Sequence, residues 1–473
     1  MPRPTGATLR KNPSRRRQVP TVRYLPHTEQ DVRRLLAAIG ADDIADLFAS
    51  IPEKLLLRQP LALPPALDEA GLVAHLDELA GKNRSGVLSF LGAGAHAHHL
   101  PAAVDALLQR GEFFTAYTPY QPEVSQGTLQ ALFEYQTMMS ELTGCEVVNA
   151  SLYDGASAAA EALLMAGRVK RRRRRLLAAR SVHPETRATC ATYLGDLDLE
   201  MQEVGFGPGG TTSVEELERA LDDDVAALLL QQPNALGCLE DLPALAEAAH
   251  RAGALLIVSV LEPVSLGLLE APARLGADIV TGEGLGLAGD VSFGGPGLGI
   301  FGCSQRQAWQ MPGRLVGQAC DASGRRGFVL TMASREQHIR RARATSNICS
   351  NEGLCALAAT IHLALLGPAG LERLARVCAG NAREACRRLE DLPGVERAFA
   401  DTPFFNEFVL RLPGPAEPVL ERLAAAGLVA GLPLGRWYPE LADCVLVCVD
   451  ERHRREDVAR LASGLGEEIE RAG

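Results

Sequence analysis

Residues Ala277–Cys303 read Ala-Asp-Ile-Val-Thr-Gly-Glu-Gly-Leu-Gly-Leu-Ala-Gly-Asp-Val-Ser-Phe-Gly-Gly-Pro-Gly-Leu-Gly-Ile-Phe-Gly-Cys. A short apolar run, Asp278–Thr281, enters a turn crowded with glycine and leaves through a second apolar run, Leu298–Cys303. The expected form is strand, tight loop, strand, because glycine lets the backbone approach a neighbour that a Cβ would hold away. The turn positions Gly284, Leu285, Gly286 and Leu287 carry no lysine, and the chain's only lysines are Lys11, Lys54, Lys82 and Lys170. Lys and Arg total 48, which leaves 44 arginines. Arginine replaces lysine on a surface, but not where an amine must lose its proton to attack a carbonyl, since guanidinium stays charged at any working pH.

Upstream of the turn, apolar runs and helical periods alternate. Strands are expected at Cys145–Asn149, Leu176–Val182, Leu199–Val204, Val225–Leu230 and Ala254–Val260. Helices are expected from Gly155, from Pro184, over Val214–Leu221 (capped by Ser213 with Glu216) and over Leu242–Arg251. Such a series implies a mostly parallel sheet flanked by helices, with ligands at the C-terminal ends of its strands. Three such ends stand out. Asp154-Gly155-Ala156-Ser157 opens a helix whose free N–H groups suit either a phosphate or an ordinary N-cap. The others are Gln232-Pro233-Asn234 with Gly237, and Glu262-Pro263.

Ahead of the sheet, Thr28 with Asp31 starts a helix that Gly40 stops after Ile39, and shorter helices fit Asp42–Ser50 and Asp68–Ala80. A proline-rich link (Pro52, Pro60, Pro64, Pro65) joins them. His96, His98 and His99 follow in a glycine-rich segment and read as hydrogen-bonding histidines; no cysteine or acid cluster adjoins them, so no metal is expected. The segment Gly111–Gly127 packs two tyrosines and two prolines into a polar loop ahead of a helix, Thr128–Thr143. Downstream of Cys303, a helix over Arg335–Arg343 leads into the hydroxyl-rich turn Ala344–Cys349, and strands at Phe408–Leu412 and Val445–Val449 mark a smaller α+β domain. The expected division is a basic, disordered tail (1–23), a helical arm (24–110), a large α/β domain (111–333) and the small domain (334–473).

Composition narrows the function. A formal charge of −10 and a pI near 5.6 argue against nucleic acid or an anionic membrane as the main partner. Arg171–Arg175 reads as a solvated helix end. Eleven cysteines, an odd number with no CxxC pair, read as reduced thiols in a cytoplasm, with Cys444 and Cys448 in a core strand. No segment is expected to span a membrane, the most apolar window (Ala252–Leu269) being broken by Glu262 and Pro263. Gly92, Gly94 and Ala97, and again Gly284, Gly286 and Gly289, match GxGxxG, but neither sits in the strand-to-helix context a dinucleotide needs.

Six stretches taken together resemble one family: Tyr117–Glu123, Met311–Gly317, Arg335–Arg341, Ala344–Cys349, Phe404–Phe408 and Trp437–Leu441. From about Tyr24 to Val458 the chain is similar to subunit 1 of the two-subunit glycine decarboxylase, the P-protein of the glycine cleavage system. The resemblance implies the fold of type I pyridoxal-phosphate enzymes, with a seven-stranded sheet. In that fold a lysine in the glycine-rich turn holds the cofactor, and an aspartate stands where Glu262 stands here. It further implies an α2β2 enzyme whose other subunit, glycine dehydrogenase subunit 2, carries pyridoxal phosphate. Glycine loses carbon dioxide there, and the aminomethyl group passes to the lipoyl arm of the H-protein.

By the same resemblance this chain has no catalytic lysine and completes the active site from its side of the interface. Tyr117, Thr118, Tyr120, Gln121 and Glu123 are implied for the substrate channel, and Thr345, Ser346 and Asn347 for the phosphate of the partner's cofactor. Arg335, His338 and Arg340 support that turn or are plain surface. The chain departs from the family at His96 and Ala97, where a tyrosine and an acid are usual, and near Leu285 and Gly286, where a more polar pair is. Two other readings stay open: a self-sufficient pyridoxal-phosphate enzyme using one of the four lysines, and a non-catalytic assembly scaffold.

Overall fold

A computed structural model describes residues 26–472 apart from Arg58 and Pro60; the expectations for residues 1–23 and for Pro60 lie outside the described residues. The chain forms two compact units, the first ending at Asn83 and the second beginning at Arg84.

In the first unit, α1 (Glu29–Ile39) starts at a capping box: Thr28 accepts the Asp31 N–H, and the Asp31 carboxylate accepts the Thr28 N–H in return. Gly40, at φ 74°, ends it. The helix expected over Asp42–Ser50 is a 3-10 turn, Ile44–Phe48. Asp46 and Asp43 take up the N–H groups of Asp42, Asp43 and Ala45, which tightens the segment below an α-helical pitch. Helix α2 (Glu69–Ala80) starts at Asp68, whose side chain accepts the Gly71 N–H.

In the second unit, a seven-stranded sheet is built from β1 (Val147–Val148), β2 (Arg175–Ala179), β3 (Glu200–Val204), β4 (Val225–Gln231), β5 (Leu255–Val260), β6 (Ile279–Glu283) and β7 (Gly299–Cys303). Their order across the sheet is β1-β7-β6-β5-β4-β2-β3. All run parallel except β7, which returns antiparallel between β1 and β6. Strands β4 and β5 are buried along their whole length, as continuous apolar runs in a sheet covered on both faces require. The glycine-rich turn contains a single helical turn, Leu285–Ala288, which the sequence reading did not foresee.

Helix α3 (Gln126–Thr143) carries a hairpin formed by β8 (Leu315–Cys320) and β9 (Arg326–Thr331). Two glutamine amides on α3 act as extra strand partners. Gln136 exchanges hydrogen bonds with the Val316 N–H and C=O, and Gln126 does the same with Phe328. Helix α4 (Gly155–Val169) is almost wholly buried. Helix α5 (Gly353–Glu390) breaks at Gly367-Pro368, where proline lacks the N–H the helix would use. Its first part lies in the core of the large sheet, and Ala382, Cys386 and Leu389 lie in a second core under the small sheet. It is the only helix among the described residues long and apolar enough to cross a membrane, and its buried apolar residues lie in these two cores.

The small antiparallel sheet centres on β10 (Glu407–Arg411) and β11 (Cys444–Cys448), flanked by Glu396–Arg397 and Leu432–Pro433. Leu88–Ser89 pairs with Leu428–Val429, and Phe90 lies in the small domain's core.

Two sequence expectations fail here. The helix expected over Arg335–Arg343 is broken into short turns, because Glu336 is extended and Arg341 sits at positive φ. Arg171–Arg175 is not simply a solvated end. Arg173 donates to the carbonyls of Val225 and Ala252, while Arg174 and Arg175 pair with Asp198 and Asp222, so the run fastens the near edge of the sheet.

Candidate functional site

The C-terminal ends of β4, β5 and β6 meet in a dry, polar patch. Beyond β5, Glu262 is 2% exposed and receives the Asn406 amide at 2.8 Å and His98 Nε2 at 3.1–3.2 Å. The other His98 nitrogen faces Glu451 at 2.8 Å. Burial alone would raise the Glu262 carboxyl, but the His98 and His96 imidazoles beside it hold it down at about 2. For His98, burial opposes protonation, and Glu262, Cys378 and Glu451 outweigh it, so the imidazolium is favoured. Beyond β4, Asn234 and Ser181 donate to Glu240 at 2.8 Å each, and the Thr212 N–H closes the network. Gly237, at φ 77°, lets β10 pass so closely that a Cβ would stand 2.3 Å from the Glu407 carbonyl oxygen.

The same ends are where a type I fold keeps pyridoxal phosphate, and the residues here do not fit it. The turn at Leu285–Ala288 is buried and offers no amine. A Cβ on Gly286 would lie 3.1 Å from both the His96 carbonyl oxygen and His98 Cδ2, so the histidine segment fills the space a side chain would need. Glu262 is already committed to His98 and Asn406. At the head of α4 the Gly155 N–H donates to Glu283 at 2.9 Å, and Asp154 caps through Ser157. The alternative of an ordinary N-cap is what forms there, with a carboxylate where a phosphate would sit. The expected hydrogen-bonding role of the histidine loop is met by His98.

A second polar centre lies beside the loop before α3. Arg314, 3% exposed, donates to Tyr120 Oη at 2.8 Å, to Ser350 Oγ at 3.2 Å and to Thr118 Oγ1 at 3.3 Å. Its guanidinium also lies 5.1 Å from the Tyr120 ring centre, and the ring of His338 meets that of Tyr120 edge-on. One buried cation thus ties the tyrosine loop to the end of the hydroxyl-rich turn. Between them runs a cleft of about 240 Å³ lined by Phe113, Tyr117, Thr118, Ser350 and Asn351. Tyr117 is 85% exposed at its mouth, and Gln121 and Glu123 are exposed beyond it.

The turn itself is fixed from below. Arg335 donates to the carbonyls of Met311, Gly313 and Met332, and its own carbonyl accepts the Thr345 N–H. Tyr153, just beyond β1, accepts the N–H groups of Cys349 and Ser350. Ser346 Oγ accepts the Ile348 N–H, while Asn347 is exposed. Arg335 therefore supports the turn; Arg340 donates only to the Ser334 carbonyl. Sequence reasoning missed Arg314 and Tyr153. Arg314 stood within a quoted motif, but its partners in the tyrosine loop lie 194 and 196 residues away along the chain.

The sheet order, the reversed β7 and the small C-terminal domain define a type I pyridoxal-phosphate enzyme fold. A sphingosine-1-phosphate lyase of Burkholderia pseudomallei shares it at a TM-score of 0.63 and 16% identity, covering 89% of this chain and 94% of that one. Nearer relatives narrow the class. The family described as "Glycine cleavage system P-protein" matches residues 22–465. A probable glycine dehydrogenase (decarboxylating) subunit 1 of Anaeromyxobacter dehalogenans is 50% identical over 445 residues, 94% of this chain and 99% of the relative. A crystal structure of glycine decarboxylase (P-protein) of the glycine cleavage system, in inhibitor-bound form, superimposes with a TM-score of 0.85 at 44% identity, covering 94% of this chain and 99% of that one. The chain belongs to the glycine cleavage system P-protein family.

Proposed function

We propose that this chain is the subunit of a cytoplasmic glycine-decarboxylating enzyme that does not carry the cofactor, and that it completes an active site held mainly by a second subunit in an α2β2 assembly. One observation carries the reading: the cofactor position at the ends of β5 and β6 is closed by His98, Glu262 and the buried turn Leu285–Ala288, and no lysine follows Lys170. Pyridoxal phosphate, held by the partner subunit, would supply the electron sink for the loss of carbon dioxide from glycine.

What this chain supplies is a fixed polar face. Arg314 orients the tyrosine loop, so that Tyr117, Thr118 and Tyr120 border the path of glycine, with Gln121 and Glu123 further out. The turn braced by Arg335 and Tyr153 presents Thr345, Ser346 and Asn347 toward the phosphate of the partner's cofactor. The aminomethyl group then passes to the lipoyl arm of the H-protein. Preorganised donors of this kind act by position, and small displacements are costly.

The test is reconstitution. The purified chain is mixed with glycine dehydrogenase subunit 2 and the H-protein, and exchange of labelled carbon dioxide with glycine is followed. Exchange from the mixture and none from either subunit alone is expected. A partner equally active without this chain refutes the reading and leaves a scaffold.

A further inference from the structure

Between β6 and β7 the chain reverses at Val291–Gly294. The Gly294 N–H donates to the Val291 carbonyl at 2.9 Å, and the Val291 N–H donates to Asp290 Oδ1 at 2.8 Å. The two central residues, Ser292 and Phe293, have φ values of 42° and 57°. A turn with positive φ at both central positions is the mirror-image kind that glycine, asparagine and aspartate usually fill. Phenylalanine suits it poorly, because a Cβ crowds the backbone in that region. Its ring gains nothing from this chain in return. Phe293 is 97% exposed, more than any other large apolar side chain among the described residues. A lone exposed apolar residue is ordinary. One held in a disfavoured backbone conformation as well points to a contact outside the chain.

The stem below this tip is braced. Glu283, at the end of β6, accepts the N–H groups of Leu298, Leu285 and Gly155 at 2.7–2.9 Å, which ties both arms of the loop to the head of α4. A Cβ on Gly297 would stand 2.9 Å from both the Tyr153 carbonyl oxygen and Asp154 Cβ, so the returning arm lies directly on that segment. Tyr153 Oη accepts the N–H groups of Cys349 and Ser350. Ser350 Oγ accepts from Arg314, which also donates to Tyr120. The aromatic tip, the end of the hydroxyl-rich turn and the tyrosine loop are therefore mounted on one framework.

We propose that Phe293 is an aromatic anchor that inserts into an apolar pocket of the second, cofactor-carrying subunit. The proposal rests on the two-subunit reading above and names a contact that holds the two chains together. Aromatic side chains that lose their water on binding carry a large share of interface energy, and one presented on a braced turn gives up little freedom when it docks. A membrane is the poorer partner. From Gly284 to Cys303 the loop carries one charge, Asp290, and no lysine or arginine, whereas lipid surfaces are met by basic flanks. The same charge sets the rim of the pocket: apolar within, and free of carboxylates where it faces Asp290.

The test titrates the full chain with purified glycine dehydrogenase subunit 2, reading association by sedimentation velocity and carbon dioxide exchange on the same samples. Phe293→Ala is expected to raise the Kd between the subunits about tenfold or more, while exchange at saturating partner stays within about twofold. Phe293→Leu keeps an apolar side chain and is expected to lose less. Leu197→Ala removes an exposed apolar residue just before β3, at the opposite end of the sheet, and is expected to leave the Kd unchanged. The isolated Phe293→Ala chain is expected to melt with the unsubstituted one, since the ring touches nothing in its own fold. An unchanged Kd for Phe293→Ala overturns the proposal, and leaves the two-subunit reading standing where the unsubstituted pair still exchanges carbon dioxide. A pair that neither associates nor exchanges overturns both. A lowered melting temperature of the isolated variant, or an effect confined to self-association of this chain, overturns the proposal alone.

Discussion

A Cβ added to Gly286 would stand 3.1 Å from Cδ2 of His98. The turn that holds the cofactor lysine in enzymes of this fold is therefore closed here by a histidine from a segment nearly 190 residues earlier in the chain. Restoring a lysine is not enough to restore a cofactor site. Gly286→Lys in the isolated chain is expected to lower stability by about 1–3 kcal/mol through overpacking and to give no visible band with pyridoxal phosphate. Thermal unfolding and absorbance of the same sample check both halves of that outcome.

Arg314 is the buried hub between the tyrosine loop and the hydroxyl-rich turn. Arg314→Lys keeps the charge but loses the planar fork that reaches Tyr120, Thr118 and Ser350 together. Exchange activity of the reconstituted enzyme should fall about 10–100-fold, the range expected when positioning loosens by about an ångström. Tyr120→Phe removes one of the three acceptors and should cost about 1 kcal/mol. An Arg314→Lys enzyme with full activity would detach this centre from function.

Glu240 gives a pH signature. Burial raises its carboxyl above the ordinary value of 4.5, although Asn234, Thr212 and Ser181 donate to it. An acid whose folded pKa is raised holds its proton more tightly folded than unfolded. Its stabilising effect is full below about 4.5 and is lost as pH climbs through the raised value. Glu240→Gln stays neutral and should lack that component. It should also be less stable by about 1–3 kcal/mol, because its amide N–H would face donors. Urea unfolding of both proteins across this pH interval separates the two effects.

Arg335 tests the turn. Its side chain spans the carbonyls of Met311, Gly313 and Met332. Arg335→Ala leaves buried acceptors without donors and should destabilise the chain by about 2–4 kcal/mol. Proteolysis should then cut first between Ala344 and Cys349, because the Thr345 N–H bonds the backbone carbonyl of residue 335, whose own anchoring through the guanidinium is lost.

Much of this architecture was legible in the sequence. Strands β4 to β7 announce themselves as apolar runs between glycine and proline, and a covered parallel sheet needs such runs. The arginine-rich segment after Met332 was not legible. Its helical composition is overridden by the extended Glu336, by Arg341 at positive φ and by a buried guanidinium serving backbone carbonyls. The site was legible only where it is local. The tyrosine loop and the hydroxyl-rich turn stand out by composition, but the arginine joining them is remote from the loop. The histidine segment reads as lacking acids and cysteines because Glu407, Cys448 and Glu451 come more than 300 residues later. Only the fold brings them together.

The central claim, that the cofactor belongs to the partner and not to this chain, is open to one direct measurement. The assembled enzyme, loaded with pyridoxal phosphate, is reduced with borohydride, and each subunit is digested and weighed for a pyridoxyl-lysine. The account predicts the label on the partner subunit and none on Lys11, Lys54, Lys82 or Lys170. A stoichiometric label on any of these four lysines, with activity lost in step, would contradict it.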